Sequence, residues 1–145
     1  MATVHEERVP AWFWVVAVLA VLWEAMGCYA YMSQVTMSAS QIAALPQAQQ
    51  DLMAHVPIWA TAAFAIATWG GLLGAIGLLL RRSWARTLFM ASLAAVLVQW
   101  TWWLLIARAA DVMGLSAYVM PVCVIVIGAL LVWFSGFAAR RGLLR

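Results

Sequence analysis

Glu24 is the residue in this sequence with the most chemistry to offer. Apolar residues run from Val15 to Trp23 before it and from Ala25 to Cys28 after it. A charge at the centre of a bilayer costs about 2.5–3.5 kcal/mol on insertion scales. The carboxyl must therefore face the inside of a helical bundle or exchange its proton. Two roles follow. It is a proton or cation site, or it is a buried hydrogen bond that ties two helices together. Gln99 is the expected partner. Counting helical rise from the same membrane face puts both side chains about 20 Å deep, and a Glu24–Gln99 hydrogen bond would satisfy both. Gly27, Cys28 and Tyr31 follow Glu24 at i+3, i+4 and i+7, on one helix face. Trp23 and Trp100 adjoin the pair in sequence. Polar groups ringed by aromatic side chains bind small organic cations or sugars, and they also occur at packed helix interfaces. Glu24, Gln99, Trp23, Trp100 and Tyr31 form the candidate substrate- or proton-binding set.

Other chemistries are poorly served. His5 and His55 are expected on opposite sides of the membrane, so no metal site is expected. No Ser–His–Asp set, phosphate loop or nucleophile–base pair is visible, which argues against an enzyme and against a cofactor. Cys28 and Cys123 fall at comparable depth in different spans. A disulfide is geometrically possible if those spans are neighbours; buried free thiols are the alternative. Neither belongs to a Cys-x-x-Cys pair.

These residues need helices to place them. Of 145 residues, 68% are hydrophobic and 9% charged, with mean hydropathy +0.98. An average soluble domain is nearer half apolar and a quarter charged. The balance excludes an ordinary cytosolic enzyme, a disordered chain and a nucleic-acid binder, and points to an integral membrane protein. A span needs about 20 apolar residues. Four stretches qualify: 11–33, 58–80, 84–107 and 117–137. They are continuous rather than alternating, so an all-α bundle of four transmembrane helices is expected, as one integral membrane domain.

Charge sets the orientation. All eight basic residues are Arg. Arg8, Arg81, Arg82, Arg86, Arg140, Arg141 and Arg145 share one side, and Arg108 alone is on the other. The positive-inside rule puts both termini in the cytoplasm. Trp12, Trp14, Trp84, Trp133 and Phe137 then fall at the inner interface, and Tyr29, Tyr31, Trp59, Trp102, Trp103 and Tyr118 at the outer one, where amphipathic rings settle. Trp23, Trp69 and Trp100 lie deeper. A cleaved leader is not expected, because Glu6 and Glu7 oppose a basic n-region and the apolar run is too long.

Between the first two spans lies the longest excursion. Ser38 and Gln41 are spaced as a capping box, and Pro46 suits the first turn of a second short helix. Residues 39–55 therefore read as an amphipathic segment on the bilayer or over the bundle mouth, or as an ordinary connection. In span two Gly70, Gly74 and Gly77 form a small-residue ridge for close helix approach, within the bundle or at a dimer interface. Arg108 and Asp111 are expected to pair or cap. No internal repeat is evident.

Several blocks together resemble a known family. Trp23-x-x-Met26-Gly27 precedes Tyr31-x-x-Gln34-Val35-Thr36-Met37. Leu45-Pro46 precedes Pro57-x-Trp59-Ala60-Thr61-Ala62-Ala63-Phe64-Ala65-Ile66-Ala67. Gly70-Gly71-x-Leu73-Gly74 leads into Leu78-Leu79-Leu80-Arg81-Arg82-x-Trp84-Ala85. The chain looks like an uncharacterised family of small four-helix inner-membrane proteins of Gram-negative bacteria, often labelled "sugar transporter". The likeness implies a multi-pass protein of the bacterial inner membrane. It brings no catalytic residues with it.

Two functional readings stand. In one the chain is a small secondary transporter, dimeric, in which Glu24 binds a proton or cation in alternation with a sugar-like or organic-cation substrate. The logic is similar to that of small multidrug transporters, which also use a first-helix Glu. In the other it is a non-catalytic accessory subunit that packs into a larger membrane complex. Its partners are then the lipid bilayer and either a second copy or that complex.

Overall fold

The computed structural model describes residues 8–145; His5, Glu6 and Glu7 lie outside the described residues. The described chain is all-helical. The helices are α1 (Ala11–Val35), α2 (Ala39–Ala43), α3 (Gln47–Ala54), α4 (Ile58–Leu79), α5 (Trp84–Thr101), α6 (Ala109–Met113) and α7 (Ser116–Arg140), and α5 runs on through a π-helical turn, Trp102–Ile106. Four helices, α1, α4, α5 with its π turn, and α7, are long and apolar enough to cross a membrane. They make a four-helix bundle, consistent with a small multi-pass membrane protein.

Proline marks the starts. Pro10, Pro46 and Pro57 are the N-caps of α1, α3 and α4. Proline has a preset φ and no N–H to leave unpaired, so it suits the first turn of a helix. Pro46 thus stands one residue ahead of its helix rather than within the first turn. Pro121 is inside α7 and fully buried.

Small residues set the packing of α1 on α4. A methyl placed on Gly71 would collide with the Glu24 carboxyl, and one placed on Gly27 would meet Thr68 Cγ2 at 3.6 Å. Tyr31 meets Phe64 edge-on, with centroids 5.3 Å apart. These pairs define an antiparallel register that repeats every turn. Helix α4 meets α5 through its other small-residue face: Gly74 lies against the Phe89 ring, Gly77 against the Trp84 indole, and Ser92 Oγ donates to Ala67 O at 2.5 Å. Gly74 and Gly77 therefore pack within the bundle. Gly70 has looser company, with Ser92 Cβ 3.8 Å from the position of its missing methyl. Helix α7 packs on α5 through Gly128 against Leu93 and Gly136 against Arg86.

The two halves of the bundle differ. Both described chain ends and the α4–α5 turn lie at one end, the terminal end. There Phe13, Ala17, Ala20, Ala75, Leu78, Phe89, Leu131 and Phe134 form a buried core. Phe13 and Phe134 stack at 6.0 Å, and Trp12 meets Phe134 at 5.9 Å, joining α1 to α7. The last residues seal this end. Leu143 and Leu144 are buried in the same core. Arg145 N donates to Arg81 O at 2.6 Å, Ser83 N to Arg145 O at 2.8 Å, and Arg81 Nε to Leu143 O at 2.8 Å. Helices α4 and α7 both end in Schellman motifs, closed by Arg82 N to Gly77 O and Leu143 N to Ala138 O. The left-handed residue is Gly142 in one and Arg81, at φ 59°, in the other. Arg81 holds a conformation that favours glycine, and its bonds to the folded-back tail keep it there.

The far end carries the excursion between α1 and α4. The capping box is present: Gln41 N donates to Ser38 Oγ at 3.3 Å and Ser38 N to Gln41 Oε1 at 2.8 Å. Gln50 Nε2 donates to Leu45 O at 2.8 Å and to Ala43 O at 3.3 Å, the second bond tying α3 back to α2. Leu52 and His55 share a surface depression with Trp102, Ile106 and Val112. The segment thus packs beside α6 and the end of the π turn. Arg108 pairs with Asp111 at 2.8 Å, both exposed.

The tryptophans divide into exposed and inward-facing ones. Trp12, Trp14, Trp84, Trp133 and Trp59 are exposed on the bundle surface, as is Trp69. Trp102, expected in the outer aromatic belt, is 6% exposed and points into the bundle. It opens the π turn, which adds a residue to the helical turn, and Trp102 and Trp103 in succession line the interior.

Candidate functional site

Away from the terminal core the bundle encloses a cavity of about 330 Å³. It is lined by α1, α4, α5, the π turn and α7. Helix α1 brings Trp23, Glu24, Gly27 and Gln34; α4 brings Thr61, Phe64, Ala67 and Thr68. Helix α5 brings Ser92, Val96, Gln99 and Trp100, followed by Trp102 and Trp103; α7 brings Met120, Val124 and Gly128. The volume lies at the small end of the range for small-molecule sites.

Four of the five candidate residues, Glu24, Gln99, Trp23 and Trp100, meet at this cavity. Tyr31 does not line it. Its ring stands behind Phe64 and fixes that ring's edge. The expected Glu24–Gln99 hydrogen bond is absent among the described residues. Helix α1 lies directly on α4, so the Glu24 carboxyl rests over the bare backbone of Gly71. Gln99, on α5, is a separate part of the lining.

The polar groups divide into two sets. Thr68 Oγ1 donates to Phe64 O at 3.0 Å, and Ser92 Oγ donates to Ala67 O. Their protons are committed to helix backbones. No hydrogen bond from the described residues reaches the side chains of Glu24, Gln34, Thr61 or Gln99, and these are the groups left to meet a guest. Around them stand Trp23, Trp100, Trp102, Trp103 and Phe64. A carboxyl group among several aromatic side chains attracts positive charge twice over, through its own charge and through the ring faces.

Several contributors were not legible from spacing. Gln34 and Thr61 lie near opposite ends of α1 and α4 in sequence and meet because those helices are antiparallel. Trp102 and Trp103 depend on the π turn. Gly71, which makes room for the Glu24 carboxyl, stands beside the ridge residue Gly70 and faces another helix. The sequence signal for Gly71 was the doubled Gly70-Gly71, which serves two helix faces at once.

The cysteines are both free: Cys28 is buried on α1 and Cys123 exposed on α7. Among the described residues no group of three metal-binding side chains comes together. Comparison with family models finds no match, and comparisons with curated proteins and with solved structures find none either.

Proposed function

We propose that the protein is a small carrier of lipophilic organic cations, in which Glu24 binds the cation and a proton in turn. The carrying observation is a carboxyl group with no hydrogen-bond partner among the described residues, facing a cavity it shares with four tryptophans. A carboxylate in such surroundings is costly without a counter-charge. A cation with an apolar body supplies that charge and fills the aromatic walls. A neutral sugar would find the free side chains of Gln34, Thr61 and Gln99, but it would leave the Glu24 carboxylate without a counter-charge and would meet the aromatic walls with hydroxyl groups. The label often given to the family that the chain resembles is, on this reading, narrowed to a charged, apolar cargo. On this reading the protein sits in a bacterial inner membrane with both termini cytoplasmic, as the distribution of Arg favours, and works as a homodimer.

The test is uptake of methyltriphenylphosphonium into proteoliposomes under a pH gradient. The unaltered protein is expected to concentrate the probe, and Glu24→Gln to abolish uptake while eluting as a folded species. Normal uptake by that variant overturns the reading. So does purification in mild detergent with a constant stoichiometric partner and no transport, which is the outcome expected of an accessory subunit.

A further inference from the structure

Seven of the eight arginines belong to the terminal end. Some have occupations there. Arg81 Nε donates to Leu143 O at 2.8 Å, and the Arg141 guanidinium lies 4.9 Å from the centre of the Phe137 ring. Arg86 and Arg140 are placed differently. They stand on different helices, near the start of α5 and at the last residue of α7, and they converge on Gly136. A methyl at Gly136 would lie 3.4 Å from Arg86 Nε, 3.6 Å from its Cζ and 3.8 Å from Arg140 Nη1.

Two guanidinium groups brought over one point repel each other unless an anion stands between them. The acidic side chains among the described residues are elsewhere: Glu24 is in mid-α1, and Asp51 and Asp111 are at the far end; the carboxyl group of Arg145 accepts from Ser83 N at the α4–α5 turn. Glu6 and Glu7, wherever they lie, are two charges against seven arginines.

We propose that Arg86 and Arg140 clasp the phosphodiester of an anionic phospholipid over Gly136. The planar fork of arginine matches phosphate oxygens in pairs. Gly136, having no side chain, lets both guanidinium groups come this close to the backbone of α7. Both residues sit at helix ends, at the level of a lipid headgroup. One turn deeper on α5, Met90 is exposed and gives an acyl chain a surface to follow. That apolar continuation is what a lipid uses and a free phosphate ion does not. The site is independent of the cavity and of any carrier activity.

The experiment uses the full chain, purified in detergent and stripped of lipid. Dioleoylphosphatidylglycerol, dioleoylphosphatidylcholine or inorganic phosphate is added at equal concentration, and retention and thermal melting are followed by native mass spectrometry and light scattering. Phosphatidylglycerol is expected to be retained over phosphatidylcholine by at least about tenfold, as two basic groups near a headgroup would give. Arg86→Gln with Arg140→Gln should erase that preference, and Arg8→Gln should keep it. Should the double variant not fold, Arg140→Gln alone, at the exposed end of α7, is expected to weaken the preference severalfold. An undiminished preference in the folded variant, or equal retention of the two lipids by the unaltered protein, overturns the site. Equal protection by inorganic phosphate overturns the lipid as its occupant.

Discussion

Glu24 and Gly71 act as one unit. A methyl on Gly71 would occupy the place of the Glu24 carboxyl. That carboxyl is the free end of a flexible side chain, so it can swing away at little cost to folding. Alanine also favours a helix over glycine by up to about 1 kcal/mol. Gly71→Ala should therefore leave thermal stability nearly unchanged and weaken binding of methyltriphenylphosphonium severalfold, as measured by equilibrium dialysis. Gly74→Ala should behave in the opposite way. Its methyl would press on the Phe89 ring, which is buried in the core and has nowhere to go. Overpacking of this kind costs about 1–3 kcal/mol, readable as a lowered unfolding midpoint with binding per folded molecule retained. The sequence made Glu24 conspicuous because an acid in an apolar run needs an explanation. It could not say what the acid touches. Depth alone pointed to Gln99, and the helix that packs on α1 turned out to be α4.

At the scale of elements, continuous apolar runs, Pro46 and the Ser38–Gln41 spacing made the helices readable. What stayed hidden was pitch. Trp102 and Trp103 of a single π turn after α5 line the cavity, and no residue type between Trp102 and Ile106 announces that turn. Helix pairing was equally silent, since glycine ridges do not name their partners. Ser92 shows how the pairing is fixed: its hydroxyl crosses from α5 to the Ala67 carbonyl of α4 at 2.5 Å. Such bonds in membranes contribute about 0.6 kcal/mol and at most about 1.7 kcal/mol. Ser92→Ala should lower stability within that range in a reversible SDS-unfolding titration. A larger loss would mean that Ser92 packs as well as bonds. At the far end, Ser38→Ala removes one half of the capping box, worth about 0.5–2 kcal/mol locally. Faster amide exchange across Ala39–Ala43, with none in α1, is the expected result.

Over the whole molecule, a tightly packed terminal end is set against a hollow far half. The arginine asymmetry predicts their orientation. After removal of the native cysteines, Arg145→Cys should resist a membrane-impermeant maleimide in intact cells, and Gln49→Cys on α3 should react. Helices α1 and α7 are pinned together by Phe13 and Phe134 at the terminal end. Toward the far end, Met26 on α1 and Met120 on α7 both line the cavity, yet they are 62% and 57% exposed. The cavity wall is therefore partly a wall of the lipid-facing surface. A solute dissolved among acyl chains can reach the seam sideways, so the concentration that matters is the one in the oily phase. Affinities measured against the aqueous buffer should then rise with each compound's partition coefficient and flatten when recast as mole fraction in the bilayer.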